Sequence, residues 1–246
     1  INLIGVAISN AVFPQLTERL GEGRMDLFQA ELRSILRVII WLALPVAVIT
    51  FFTRGYIVHF IRNTGDPLMA GILGALVIAI LFRIIYHMAA RAFYAQQDTK
   101  TPLYISFVSI GLNVILAVML AMVLDMGAYG LAWAQSIVAI IEVAILFYIM
   151  GRRMPKLFDL SFVNAVWRMV LAAGVVAIVC YGGVLLLPFR ETDDSFYSAF
   201  PRFIAIVTMS FVAFGAVSKM LKLEEINPVI SRARRLLFSR FDVNKS

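Results

Sequence analysis

Charge is scarce in this chain. Only 15% of its 246 residues are Asp, Glu, Lys or Arg, against 61% hydrophobic residues and a mean hydropathy of +0.89, too little polar surface to cover a soluble domain. Cysteine is scarcer still. Cys180 stands alone inside an apolar run, so neither an intrachain disulfide nor a thiolate metal cluster can form, and a small core residue is its expected role. Catalytic signatures are also missing: there is no Ser/His/Asp arrangement, metal-ligand cluster or phosphate-binding P-loop. This excludes ATP hydrolysis by this chain, argues against an enzyme and identifies no cofactor.

What remains is hydrophobic length. The apolar residues fall in runs of about 20 or more, as helices need to cross about 30 Å of hydrocarbon, and not in the alternating ten-residue segments of an outer-membrane barrel. The expected fold class is all-α, a polytopic transmembrane helical bundle. Complete spans are expected at about 35–53, 68–90, 101–124, 128–150, 163–187 and 197–218. Pro45 should kink the first, Thr101 should cap the third with Pro102 at its first helical position, and Asp125-Met126-Gly127 should turn tightly into the fourth. The chain begins at Ile1 rather than Met, and Ile1–Leu16 reads as the later part of a truncated span preceded by further residues. From Glu224 onward, Val229, Ile230, Ala233, Leu236, Leu237 and Phe241 alternate with arginines at helical spacing. An interfacial amphipathic helix or a disordered basic tail both fit.

The net charge of +7 belongs to the connections rather than to a nucleic-acid surface. Alternate connections, at 17–34, 91–101, 151–161 and the tail, hold fifteen Lys and Arg; the other set holds Arg54, Arg62 and Arg190. Cytoplasmic loops are enriched in Lys and Arg, so the C-terminus is expected in the cytoplasm.

Ionisable groups inside spans are functional candidates, because each costs at least about 2.5–3.5 kcal/mol at mid-bilayer. Arg83, His87 and Arg91 recur at i, i+4 and i+8, one cationic stripe suited to a phosphate or pyrophosphate. Glu142 lies at a similar depth in the fourth span. It can form an ion pair with Arg83 or take part in coupling, and Arg83 can instead touch substrate. His87 reads as a hydrogen-bonded packing residue, with a titrating switch as the alternative. Arg37, Arg168 and Arg202 sit near span ends as snorkelling anchors. Asn113, Gln135 and Ser136 suit interhelical hydrogen bonds.

The run Arg91-Ala-Phe-Tyr-Ala-Gln-Gln-Asp-Thr-Lys-Thr-Pro102 resembles a loop of the MurJ/MviN lipid II flippases of the MOP exporter superfamily. Gly5-Val-Ala-Ile-Ser-Asn-Ala-Val-Phe-Pro-Gln-Leu16, Leu42-Ala-Leu-Pro45 and Gly127-Ala-Tyr-Gly-Leu-Ala-Trp-Ala134 are similar to further segments of that family. The resemblance implies the second lobe of a MATE-like transporter over residues 1–150, two additional helices over 151–222 and a basic cytoplasmic tail over 223–246. It implies a multi-pass protein of the bacterial inner membrane that moves undecaprenyl-pyrophosphate-linked peptidoglycan precursor by alternating access, with membrane lipids and the N-terminal lobe of the same protein as partners and no nucleic acid. An ion gradient or the membrane potential is a possible coupling source. Arg83, His87 and Arg91 would help complete the headgroup cavity, while Asp98, Thr99, Lys100 and Pro102 would set the loop. The rivals are another MOP transporter, such as a polysaccharide-lipid flippase or a cation-coupled drug antiporter, and a membrane assembly subunit that transports nothing.

Overall fold

The computed structural model describes residues 20, 24–62, 66–187, 196–223 and 225. Ile1–Leu16 and most of the basic tail lie outside the described residues. Among the described residues seven α-helices follow one another: α1 (Met25–Phe52), α2 (Arg54–Arg62), α3 (Pro67–Ala95), α4 (Lys100–Val118), α5 (Gly127–Arg153), α6 (Leu160–Leu186) and α7 (Phe196–Met220). All except α2 are long and apolar enough to span a membrane, and no strand occurs among the described residues. The chain is an all-α polytopic helical bundle.

Local chemistry sets the helix ends. Asp66 accepts from Leu68 N at 2.9 Å with Pro67 starting α3, and Asp159 accepts from Phe162 N at 2.9 Å at the start of α6. At α4 the structure corrects the expected cap. Asp98, rather than Thr101, is the acceptor, taking Thr101 N at 3.0 Å on Oδ1 and the Thr101 hydroxyl at 2.6 Å on Oδ2. Helix α4 therefore begins at Lys100 and Pro102 is its third residue, still in the first turn, where backbone N–H groups have no helical partner.

Several helices run beyond their apolar windows. The stretch ahead of residue 35, expected as a polar connection, belongs to α1, because Phe28 and Leu32 begin a buried stripe continued by Leu36, Ile39 and Ala43. The α1 helix is assigned without interruption through Pro45. Likewise α3 reaches Ala95 rather than residue 90, since Ala92 and Phe93 are fully buried. The connection after the first span contains the amphipathic helix α2.

The spans pack in a row: α4 on α5, α5 on α3, α3 on α1, α1 on α6, and α6 on α7. Small residues permit the close α3–α5 contact, where Ala75, Ala79, Ala132 and Ala139 are buried and the Ser136 hydroxyl donates to the Ala75 carbonyl at 2.6 Å. Farther along the row, the Trp41 indole N–H donates to the buried Ser218 hydroxyl at 3.2 Å, linking α1 to α7. At one edge of the row, α4 barely touches α3. That gap is the site.

Candidate functional site: a polar groove between α3, α4 and α5

Both α3 and α4 lean on α5 and leave a cavity of about 370 Å³ between them. Arg83 and Tyr86 of α3 line it, facing Ser106, Ser109 and Asn113 of α4 and Gln135 and Glu142 of α5. Ser106 also borders a neighbouring cavity of about 450 Å³ that includes Thr99, and Asn113 and Gln135 border another of about 330 Å³ toward Ala128. The three cavities form a groove running along α4 from the Asp98 loop toward the opposite end of the span.

Arg83 donates from Nη2 to Gln135 Oε1 at 3.2 Å. Glu142 is buried, at 6% exposure, lining the cavity with Ser109 and within the field of Arg83. No direct ion pair within 4.0 Å joins the two among the described residues, so the cation is linked to the wall through a neutral amide and stays exposed on the groove. The Tyr86 hydroxyl and Ser106 hydroxyl are 2.8 Å apart and bridge α3 to α4. The groove thus offers a guanidinium, three hydroxyls and two amides in otherwise apolar surroundings, a donor set suited to phosphate oxygens.

The cationic stripe is only partly gathered here. His87 and Arg91 lie outside the Arg83 cavity. His87 is exposed, against Tyr86 at 5.8 Å between ring centroids, and Arg91 is half-buried. With α3 ending at Ala95 and α5 at Arg153, Arg83 and Glu142 are about 18 and 16 Å from those ends at 1.5 Å per residue, deeper than the shorter spans implied yet still level.

The loop motif is a locked corner. Arg153 places Nη1 2.5 Å from Asp98 Oδ2 and donates from Nη2 to Thr101 Oγ1 at 3.1 Å, with its guanidinium 5.4 Å from the Phe93 ring centroid. The Thr101 hydroxyl and backbone N–H, followed by Arg153, hold the Asp98 carboxyl well below the usual carboxylate range, at about 2. Thr99 and Lys100 are exposed beside it, and Pro102 is buried.

Sequence reasoning missed Tyr86, Ser106, Ser109 and Arg153. A signal existed for two of them, because Ser106, Ser109 and Asn113 recur at i, i+3 and i+7 in an otherwise apolar span. Arg153 carried none, since a basic residue at a span end reads as an orientation signal.

Comparison with known proteins covers most of the chain. A protein of Thermotoga maritima named probable lipid II flippase MurJ is 25% identical over 238 residues, covering 94% of this chain and 45% of its own length. Relatives of the same name from Rhizobium meliloti and Borreliella burgdorferi are each 24% identical, over 77% and 66% of this chain and 36% and 33% of their own lengths. The chain therefore spans less than half the length of these curated relatives. The family model described as lipid II flippase MurJ matches residues 1–205, which takes in every residue of the groove and the Asp98 corner, and the chain belongs to that family.

Proposed function

We propose that the complete protein carrying this chain is a lipid II flippase of the bacterial inner membrane, moving undecaprenyl-pyrophosphate-linked peptidoglycan precursor by alternating access. The observation that carries this reading is the Arg83 groove: a cation deep in a span, exposed on a polar groove at the edge of the bundle, where a second lobe would complete a cavity. Arg83 binds the pyrophosphate, and the hydroxyls of Tyr86, Ser106 and Ser109 with the amides of Asn113 and Gln135 bind polar headgroup atoms. Glu142 responds to the ion gradient or membrane potential that drives the cycle. His87 and Arg91 lie nearer the Lys- and Arg-rich end of α3 and meet the headgroup on entry.

Charge supports an orientation for this reading. Arg24, Arg33, Arg91, Lys100, Arg152, Arg153, Lys156, Lys219 and Lys222 gather at one end of the spans, and the preference of Lys and Arg for the cytoplasmic side favours that end, with the C-terminus, being inside.

The test is complementation in a bacterium whose own flippase can be depleted, with the full-length gene carrying Arg83→Ala. Loss of growth and of lipid II translocation at normal protein level is expected; full rescue would remove Arg83 from the mechanism. Failure of the unsubstituted gene to rescue, with the protein correctly inserted, would overturn the substrate assignment itself.

A further inference from the structure

A second polar pocket, of about 240 Å³, lies at the Lys- and Arg-rich end of the bundle, away from the Arg83 groove and between α1, α6 and the residues after α7. Arg37 enters it from α1, Ser161, Asn164 and Arg168 from α6, and Lys222 from the turn after α7. Three cations therefore converge from three elements. Among the described residues, Glu225 sets a carboxylate against them, its Oε1 2.5 Å from Arg37 Nε.

The backbone fixes this convergence. Lys222 adopts φ 51° as the chain turns back over the end of α7, with Lys222 N bonded to Lys219 O and Leu223 N to Ser218 O. This helix-ending turn buries Leu223 and directs Lys222 to the pocket. One helical turn nearer the bundle end than Arg37, Arg33 lies 2.5 Å from Asp159 and holds the start of α6 against α1. Ser161, Asn164 and Arg168 follow Asp159 by about 3, 8 and 13 Å along α6 at 1.5 Å per residue. All three lie in the first third of the 27-residue α6, nearer its Lys- and Arg-rich end than its centre.

The surrounding surface separates a lipid from a free anion. On the outside of α6, Leu160, Val163, Trp167 and Leu171 are exposed, with Trp167 at 63%. An exposed indole toward a span end suits the membrane interface, and aliphatic residues beside it offer contact to acyl chains. We propose that this pocket binds the phosphate of an anionic phospholipid from the adjoining leaflet, with Arg168 and Lys222 pairing the phosphate, Ser161 and Asn164 donating to its oxygens, and the chains lying along α6. Bound there, the lipid clasps α6 and the end of α7 to α1.

The test measures the melting temperature of the full-length protein in detergent during titration with phosphatidylglycerol, phosphatidylcholine or inorganic phosphate. Phosphatidylglycerol should stabilise saturably, phosphatidylcholine much less, and inorganic phosphate negligibly. Each of Arg168→Gln and Lys222→Gln should raise the half-saturating phosphatidylglycerol concentration about fivefold, and the double variant about 25-fold, as removal of a cation from an anionic membrane site implies. Arg168→Lys with Lys222→Arg should retain the response, and Lys219→Gln, at the same end but outside the pocket, should be silent. Unchanged half-saturation in the glutamine variants, or equal stabilisation by phosphatidylcholine, would overturn the site. Full stabilisation by inorganic phosphate would overturn the lipid assignment in favour of a free-phosphate site.

Discussion

Arg83 donates to Gln135 at 3.2 Å and so joins α3 to α5 inside the groove, while Glu142 shares the same cavity without contacting it. The arrangement resolves a conflict that placing a cation deep in an apolar span creates. A directly paired Arg83 would spend its charge on the protein, and an unsupported one would carry the full cost of desolvation. Tethering through a neutral amide holds the guanidinium in place and keeps its charge available.

The tether predicts a graded series. Arg83→Ala should abolish translocation, Arg83→Lys should retain part of it because the charge survives without the planar fork, and Gln135→Leu should reduce it by about tenfold or more, the worth of about one hydrogen bond to a charged group. Lipid II translocation assays at matched protein levels would rank them. Gln135→Leu as severe as Arg83→Ala would mean that Gln135 does more than hold the arginine.

Glu142 offers a separate test. Glu142→Gln keeps the shape but removes the charge facing Arg83, so folding should survive and the response of transport to an imposed ion gradient or membrane potential should flatten. Transport by reconstituted full-length protein, with and without the gradient, measures this. An unaltered response would take Glu142 out of coupling.

The Asp98 corner predicts acid sensitivity. Its carboxyl titrates at about 2 in the folded protein, below the ordinary 3.8, so the stabilisation is complete above about pH 4 and is lost as pH falls through about 2. Thr101 dominates that shift and Arg153 follows. Thr101→Val and Arg153→Gln should each raise the Asp98 pKa, and Asp98→Asn, which keeps an acceptor for Thr101 N but loses the charge facing Arg153, should remove the acid dependence. Thermal melting in detergent across pH 2–6 would show both effects; an acid-induced loss that persists in Asp98→Asn would place it elsewhere.

Much of this was legible from hydrophobic run length alone. Six long apolar stretches fix six spans, because a bilayer demands about 20 residues of helix and permits few alternatives. Boundaries were less legible. Phe28 and Leu32 lie among polar neighbours, and only packing against the rest of the bundle shows that the α1 helix already includes them. Of the i, i+4, i+8 stripe only Arg83 lines the groove; His87 and Arg91 diverge from it because 3.6 residues per turn rotates such a stripe by about 40° every four residues. What a one-dimensional pattern could not supply was partnership across helices: Gln135 under Arg83, Arg153 on Asp98, and Glu225 on Arg37 bring together residues from different elements.

The turn into α5 gives the sharpest test of packing. A π-helical turn, Met119–Val123, prolongs α4 and widens its end; Leu124 N bonds Met119 O at 3.0 Å and Met126 N bonds Leu120 O at 3.2 Å. Asp125 and Gly127 both adopt positive φ, near 53°, to reverse the chain. This brings Gly130 so close to the widened turn that a Cβ there would lie 2.7 Å from the carbonyl carbon and oxygen of Leu120. Backbone cannot swing aside as a side chain can, so Gly130→Ala must push α4 off α5 at one end of the groove, at a cost of about 1–3 kcal/mol. Gly111→Ala and Gly174→Ala meet open space and, in helix interiors, should be neutral or stabilising by up to about 1 kcal/mol. Melting temperatures of the three variants in detergent decide the matter, and because Asn113 and Gln135 border the cavity at that end, Gly130→Ala should also lower translocation. A Gly130→Ala variant as stable as the other two would show that α4 and α5 can separate there freely, and that the π-helical turn is not what sets the width of the groove.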